Sequence, residues 1–93
     1  MVRQKAYVYF IRMSGFGECF YKIGVTVNPT NRFYDFPYDI EILKLYKTNL
    51  YFACHVESWL IDILGDYSYE PKKHFGGHTE CFTTKGVESV FSL

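Results

Sequence analysis

The sequence predicts an α+β domain in which a three-stranded antiparallel sheet is flanked by helices. Two aromatic and β-branched segments, separated by a glycine-containing turn, have the composition of a β-hairpin. A later segment alternates like a third strand, and the segment after it carries apolar residues at helical spacing. The predicted order is β-β-α-β-α with a small C-terminal element, in a single domain over residues 1–93.

The hairpin strands are predicted at residues 6–12 (AYVYFIR) and 19–26 (CFYKIGVT). The SGFG segment at residues 14–17 is interpreted as a four-residue loop. This loop length determines which side chains of the two strands face each other.

If Met13 faces Glu18 across the loop, Tyr9 lies directly opposite Lys22, with the two Cβ atoms about 5 Å apart. An ammonium group beside a phenol favours the phenolate and lowers its pKa, so Tyr9 could act as a general base near neutral pH. The alternative is an ordinary cross-strand pair on an exposed face. A register shift of one residue would separate the two side chains.

Two short helices are predicted from capping residues. Asn28 before Pro29 is typical of a helix start, and the helix is expected over residues 29–36. Near the C-terminus, Thr83 or Thr84 could cap a last turn or two of helix.

The third strand is predicted at residues 40–48, where apolar and polar side chains alternate. Residues 66–78 contain Pro71 and two adjacent glycines and are expected to form a loop. Residues 79–82 are expected to form a short extended piece.

The longest helix is predicted at residues 49–65, with Thr48 or Asn49 as its cap and Gly65 at its end. At about 100° per residue, one apolar stripe is centred near Ala53 and is expected to pack on the sheet. The apolar side chains of this stripe and its flanks are Phe52, Cys54, Val56, Trp59, Leu60, Ile61, Ile63 and Leu64.

Glu57 is the exception on this apolar stripe, at about 40° from Ala53. A carboxylate in such a place costs free energy unless a partner offsets its burial. Two partners are considered: a protein cation such as Arg32, which would make a structural ion pair, or a bound metal ion.

The bulk composition limits the function classes. Formal net charge is zero, which argues against a protein that coats nucleic acid by charge alone but allows a small site that grips one phosphate. No apolar run approaches the length of a membrane span, so no membrane partner is expected. The three cysteines and the absence of a signal-like start indicate reduced thiols and a cytoplasmic location, in the host cell if the source is viral.

Four motifs occur in order along the chain. YVY at residues 7–9 is followed after twelve residues by KIG at residues 22–24, and Arg32 comes eight residues after Gly24. Together with Glu57 on a later helix, this order resembles the GIY-YIG nuclease superfamily. The FGGHTECF segment at residues 75–82 resembles the tail of a viral and fungal branch with a YKIG-type second motif.

The resemblance implies a small stand-alone, metal-dependent endonuclease that cleaves phosphodiester bonds in DNA or RNA, and DNA is the more expected partner. It implies that Tyr9, assisted by Lys22, is the general base or positions the water, and that Arg32 holds the scissile phosphate. Glu57 would bind one divalent cation, Mg²⁺ or Mn²⁺, through oxygen. We expect Arg3 and Lys5 to make ordinary phosphate contacts.

The chain departs from the family pattern at several positions. Tyr7 stands where the first motif has glycine, Lys22 replaces the tyrosine of the second motif, and no asparagine follows Asn49. Glu80 lies in the tail, where the sequence assigns it no role.

Two other interpretations are kept. One is a catalytically silent module of the same fold that binds nucleic acid or inhibits a host protein. A homodimer or a protein partner would then supply the recognition surface that one bare domain lacks. The second is a zinc site built from His74, His78 and Cys81 with Cys19 or Cys54, although the pattern lacks a paired CxxC.

Overall fold

A computed structural model describes residues 4–76 and 80–91 of the chain. These residues form a four-stranded antiparallel sheet with strand order β3-β1-β2-β4. The elements along the chain are β1 (Lys5–Gly15), β2 (Glu18–Thr26), α1 (Pro29–Tyr34), β3 (Asp39–Asn49), α2 (Leu50–Ile63), a 3₁₀ turn (Gly65–Tyr67), β4 (Cys81–Thr83) and α3 (Thr84–Phe91).

The α+β prediction is confirmed, but the sheet has four strands instead of three. The additional strand is β4, in which Cys81 pairs with Lys22 and Thr83 pairs with Phe20. A three-residue strand is too short to show a two-residue alternation in the sequence. Its pairing partner lies about sixty positions earlier, which local patterns do not reveal.

The predicted hairpin register was wrong by two residues. Tyr9 lies opposite Gly24, and Lys22 lies opposite Ile11. The loop consists of Phe16 and Gly17 alone, and both have positive φ, at 54° and 79°. A shift of two residues preserves the side-chain faces, so Tyr9 and Lys22 remain diagonal neighbours on one face.

Three predicted helix caps are confirmed. The side chain of Asn28 accepts a hydrogen bond from the Asn31 N–H at 3.2 Å. The side chain of Asn49 accepts from the Phe52 N–H at 2.8 Å, and the Thr83 hydroxyl accepts from the Gly86 N–H at 3.1 Å. Each bond satisfies one N–H that the first helical turn leaves without a partner.

The two faces of the sheet bury different elements. On the face that we call the α1 face, Tyr9 and the tip half of the hairpin pack against α1 and the segment before β4. The members of this cluster are Tyr9, Ile11, Met13, Phe20, Phe33, Phe36, Tyr38, Ile40, Tyr69, Phe75 and Cys81. On the opposite face, which we call the α2 face, Val8 packs against Ala53, and Ile23 packs with Leu64 and Val87.

The flanks of the α2 stripe are exposed, contrary to the prediction. Ala53 is the only fully buried residue within α2, whereas Phe52, Trp59 and Ile63 are 47%, 64% and 38% exposed. The helix covers β1 and β2 but leaves the neighbouring part of β3 uncovered. An apolar groove of about 730 Å³ results, lined by side chains that include Phe10, Leu43, Tyr46, Val56, Leu60 and Phe91.

None of the helices in the described part of the chain has the length and apolarity needed to cross a bilayer.

Candidate active site

Tyr9 is buried in the middle of β1, and its ring lies over Gly24. A Cβ atom at Gly24 would overlap the Oη and Cζ atoms of the phenol. Phe33 of α1 meets the same ring edge to face, with centroids 5.2 Å apart. Glycine in the second motif therefore has a local physical cause, because only glycine leaves room for the phenol.

Lys22 lies behind this ring and is only 1% exposed. Its Nζ atom is 5.7 Å from the centroid of the Tyr9 ring, and it donates hydrogen bonds to Glu80 Oε1 at 3.3 Å and to the Ile23 carbonyl at 3.4 Å. Burial lowers the pKa of Lys22, and the carboxylate of Glu80 acts in the opposite direction. Glu80 thus has a role that the sequence did not assign: it is an ion-pair partner of the buried lysine.

Arg32 lies in the last turn of α1, above the α1 face. Burial raises the pKa of Tyr9, and the positive charge of Arg32 is the strongest effect that lowers it. The guanidinium also lies against the backbone of Gly76, where a Cβ atom would be 3.4 Å from Nη1. Arg32 forms no ion pair with any carboxylate in residues 4–76 or 80–91, so its charge remains available to an anion.

Glu57 reaches the same region from the opposite side of the sheet. Strand β4 pairs only with residues 20–22 of β2, which leaves residues 23–26 of β2 unpaired along that edge within the described structure. The backbone of Val25, on this unpaired stretch, is close enough to Glu57 to lower its pKa. The body of α2 covers one face, and the backbone contact with Val25 puts the Glu57 carboxylate at this unpaired edge.

The charges of these side chains act on one another. Burial raises the pKa of Glu57, Glu80 raises it further, and Lys22 and Arg32 lower it. Glu57 forms no ion pair with a described residue, so the structural Glu57–Arg32 pair that was considered as an alternative is absent. The result is a half-buried carboxylate with incomplete charge compensation.

The expected phenolate at Tyr9 is not supported. Burial raises the pKa of Tyr9 well above its ordinary value, and Glu80 and Glu57 raise it further, against the lowering effect of Arg32. The prediction failed because it considered only the lysine across the hairpin, whereas packing under α1 removes the phenol from water. In the absence of a cation, Tyr9 is a neutral hydrogen-bonding group near neutral pH.

The other predicted residues lie outside this network or outside the described residues. Lys5 is exposed on the α1 face near the start of β1, and Arg3 falls outside the described residues. Cys81 is buried, and burial raises its thiol pKa to about 12. Residues 4–76 and 80–91 contain no cluster of three or more potential zinc ligands, and His78 lies outside them.

The sequence matches the T5orf172 domain over residues 6–91, which is nearly the whole chain. The chain therefore belongs to the T5orf172 family. Comparison with curated proteins and comparison with solved structures gave no significant match.

Replacing Gly24 with alanine should displace the Tyr9 ring and destabilise the domain by about 1–3 kcal/mol, as overpacking of a buried contact does. Gly65→Ala is the matched control, because no atom lies within 4 Å of its added Cβ. Urea unfolding of both variants measures the difference. The cost of Gly24→Ala should shrink in a Tyr9→Leu background, and an equal cost with and without the ring would contradict the contact.

Proposed function

We propose that this chain is a small metal-dependent nuclease of the GIY-YIG type. The observation that carries the proposal is the network of Tyr9, Lys22, Arg32 and Glu57, which four different elements contribute and whose charges influence one another. The match to the T5orf172 domain is compatible with a nuclease-like or nucleic-acid-binding module. The motif order at residues 7–9 and 22–24, followed by Arg32 and Glu57, supports the same class.

Glu57 fits a divalent cation because its carboxylate is half-buried, has a raised pKa and forms no ion pair with the described residues. Hard cations such as Mg²⁺ or Mn²⁺ prefer carboxylate oxygen. When bound, such a cation would stabilise negative charge on the phosphate oxygens and the leaving oxygen. Glu80 is not proposed as a second metal ligand, because it already binds the ammonium group of Lys22.

The protein groups would divide the remaining work. Arg32, which forms no ion pair with a described carboxylate, would hold the scissile phosphate through its guanidinium. The neutral hydroxyl of Tyr9 is suited to orient the attacking water by hydrogen bonding rather than to remove its proton as a phenolate. Lys22 and Glu80 fix the position of the Tyr9 ring from behind.

The substrate is proposed to be nucleic acid, with DNA preferred over RNA, and the cytoplasm is the proposed location. The direct test incubates purified protein with labelled DNA and RNA in single-stranded, duplex and flap forms, with Mg²⁺, Mn²⁺ or EDTA. Cleavage that needs the divalent ion supports the proposal. Binding without cleavage under every condition would favour a silent nucleic-acid-binding module.

A second candidate function rests on the apolar groove of the α2 face. This groove of about 730 Å³ has Tyr9 among its lining residues and borders exposed Phe52 and Tyr46. Exposed aromatic side chains beside an apolar groove are common at protein-binding sites. A chain that neither binds nor cuts nucleic acid would be better explained as a module that binds a protein partner or a second copy through this groove.

Glu57→Gln should abolish metal binding and cleavage while leaving the fold as stable as the parent or more so. The amide preserves the shape but removes a charge whose burial is unfavourable. Melting temperatures with and without Mg²⁺ or Mn²⁺ check this, with exposed Asp62→Asn on the same helix as the control. A marked loss of stability in Glu57→Gln, with no metal effect in the parent, would instead indicate a purely structural glutamate.

Arg32→Ala should reduce cleavage by about two to three orders of magnitude, because a preorganised donor acts mainly on charge that develops in the transition state. Its effect on affinity should be that of one phosphate contact. Lys5→Ala is the comparison: it should weaken binding modestly, flatten the salt dependence and leave the turnover of bound substrate unchanged. Equal losses of binding and cleavage in Arg32→Ala would assign Arg32 a binding role only.

A further inference from the structure

The hairpin tip carries an aromatic side chain where the backbone favours asparagine or glycine. Phe16 and Gly17 form a two-residue turn with φ values of 54° and 79°, as in a type I′ turn. Asn-Gly is the preferred sequence for such a turn, and a bulky residue at positive φ is strained. The Phe16 side chain is 52% exposed, so burial offsets only part of this strain.

A hydrogen-bonded cluster holds the tip in place. Glu18 accepts hydrogen bonds from the hydroxyls of Tyr38 and Tyr69 and from the Lys72 N–H at 3.0 Å. Burial would raise the pKa of Glu18, but these hydrogen bonds lower it overall, which keeps the carboxylate charged at neutral pH. Phe16 packs edge to face on Tyr38, with centroids 5.3 Å apart, so the exposed part of its ring has a fixed orientation.

Two lysines contact Phe16, one at its backbone carbonyl and the other over its ring. The Lys72 ammonium donates to the Phe16 carbonyl at 3.2 Å, and the Lys73 Nζ atom is 5.1 Å from the centroid of the Phe16 ring. Neither lysine forms an ion pair with a carboxylate in the described part of the chain, and nearby Glu70 pairs with His74. The charge of Lys72 lies near the Glu18 carboxylate, whose pKa it lowers, while Lys73 lies over the ring itself. An exposed ring flanked by two ammonium groups matches a base next to its phosphates better than it matches an apolar protein surface.

The chain from these lysines leads to Arg32. Phe75 anchors the segment by packing against Phe36, with centroids 5.2 Å apart, and Gly76 lies against the Arg32 guanidinium. At no more than about 3.5 Å per residue, Lys72 and Gly76 are at most about 14 Å apart. A strand of a few nucleotides on the tip could therefore reach the proposed phosphate site.

We propose that Phe16, Lys72 and Lys73 form a platform on which an unpaired base stacks while the lysines contact its phosphates. The inference rests on the proposed function and specifies its substrate: a strand with at least one unpaired base near the cleavage site, such as a single strand, a flap or a frayed end. An intact duplex buries the faces of its internal bases and should bind more weakly.

The experiment measures affinity for labelled single-stranded and blunt duplex DNA of one sequence, in EDTA, where metal-dependent cleavage does not occur. Phe16→Asn should raise the melting temperature, because it creates an Asn-Gly turn, and should weaken single-strand binding about tenfold or more. Phe16→Tyr keeps a ring and should retain the affinity. Tyr51→Asn removes an aromatic side chain that is 73% exposed on α2, and it should leave the affinity unchanged.

Lys73→Gln should reduce the salt dependence of single-strand binding by about 0.7 in the slope of log K against log salt, whereas Lys85→Gln on α3 should not. The platform would be overturned if Phe16→Asn kept the affinity of the parent, if Tyr51→Asn lost as much affinity as Phe16→Asn, or if the parent did not bind single-stranded DNA. Loss of affinity in Phe16→Asn without cleavage by the parent would leave the platform standing and reject the nuclease. If the parent cleaves nucleic acid and Phe16→Asn keeps its affinity, the nuclease proposal stands and the platform is rejected.

Discussion

The short length of β4 is the constraint on which the candidate site depends. Because β4 pairs only with residues 20–22, the backbone of β2 beyond Lys22 is unpaired along this edge in the described structure. Glu57 occupies this place from α2, while Tyr9 and Arg32 approach from the opposite face. A longer β4 would continue the pairing past Gly24 and would separate the carboxylate from the phenol.

Two of the four charged side chains in the site are paired with each other, and the other two are not. Lys22 is buried but has Glu80 as a partner, so this pair contributes little net charge. Arg32 and Glu57 remain, one positive and one negative, without a direct ion pair between them. The proposed function assigns these two charges to a phosphodiester, held by Arg32, and a divalent metal ion, held by Glu57.

Local signals in the sequence predicted the parts of the fold that depend on neighbouring residues. The caps Asn28 and Asn49 and the existence of the two hairpin strands follow from residue types within a few positions, although β1 continues to Gly15, beyond its predicted end. The hairpin register could not be predicted in this way. It depends on the loop length, which requires Phe16 to adopt a positive φ that its side chain disfavours. Tyr9 and Lys22 nevertheless remain neighbours, since a shift of two keeps them on one face. The raised pKa of Tyr9 and the roles of Glu80 and β4 depend on packing between distant segments, which single-sequence patterns do not encode.

The most direct test of this account is an NMR titration of the ¹⁵N-labelled protein with Mn²⁺, whose unpaired electrons broaden nearby amide signals. The account predicts early, selective broadening at Gly24, Val25 and Glu57, and at Tyr9 on the adjacent strand, and no such broadening in Glu57→Gln. Signals of the hairpin tip at Gly17 and of α3 should persist to much higher Mn²⁺ concentrations. Broadening centred elsewhere, for example at Asp62 or at the Glu70–His74 pair, or broadening that persists in Glu57→Gln, would contradict a shared site at the unpaired edge of β2.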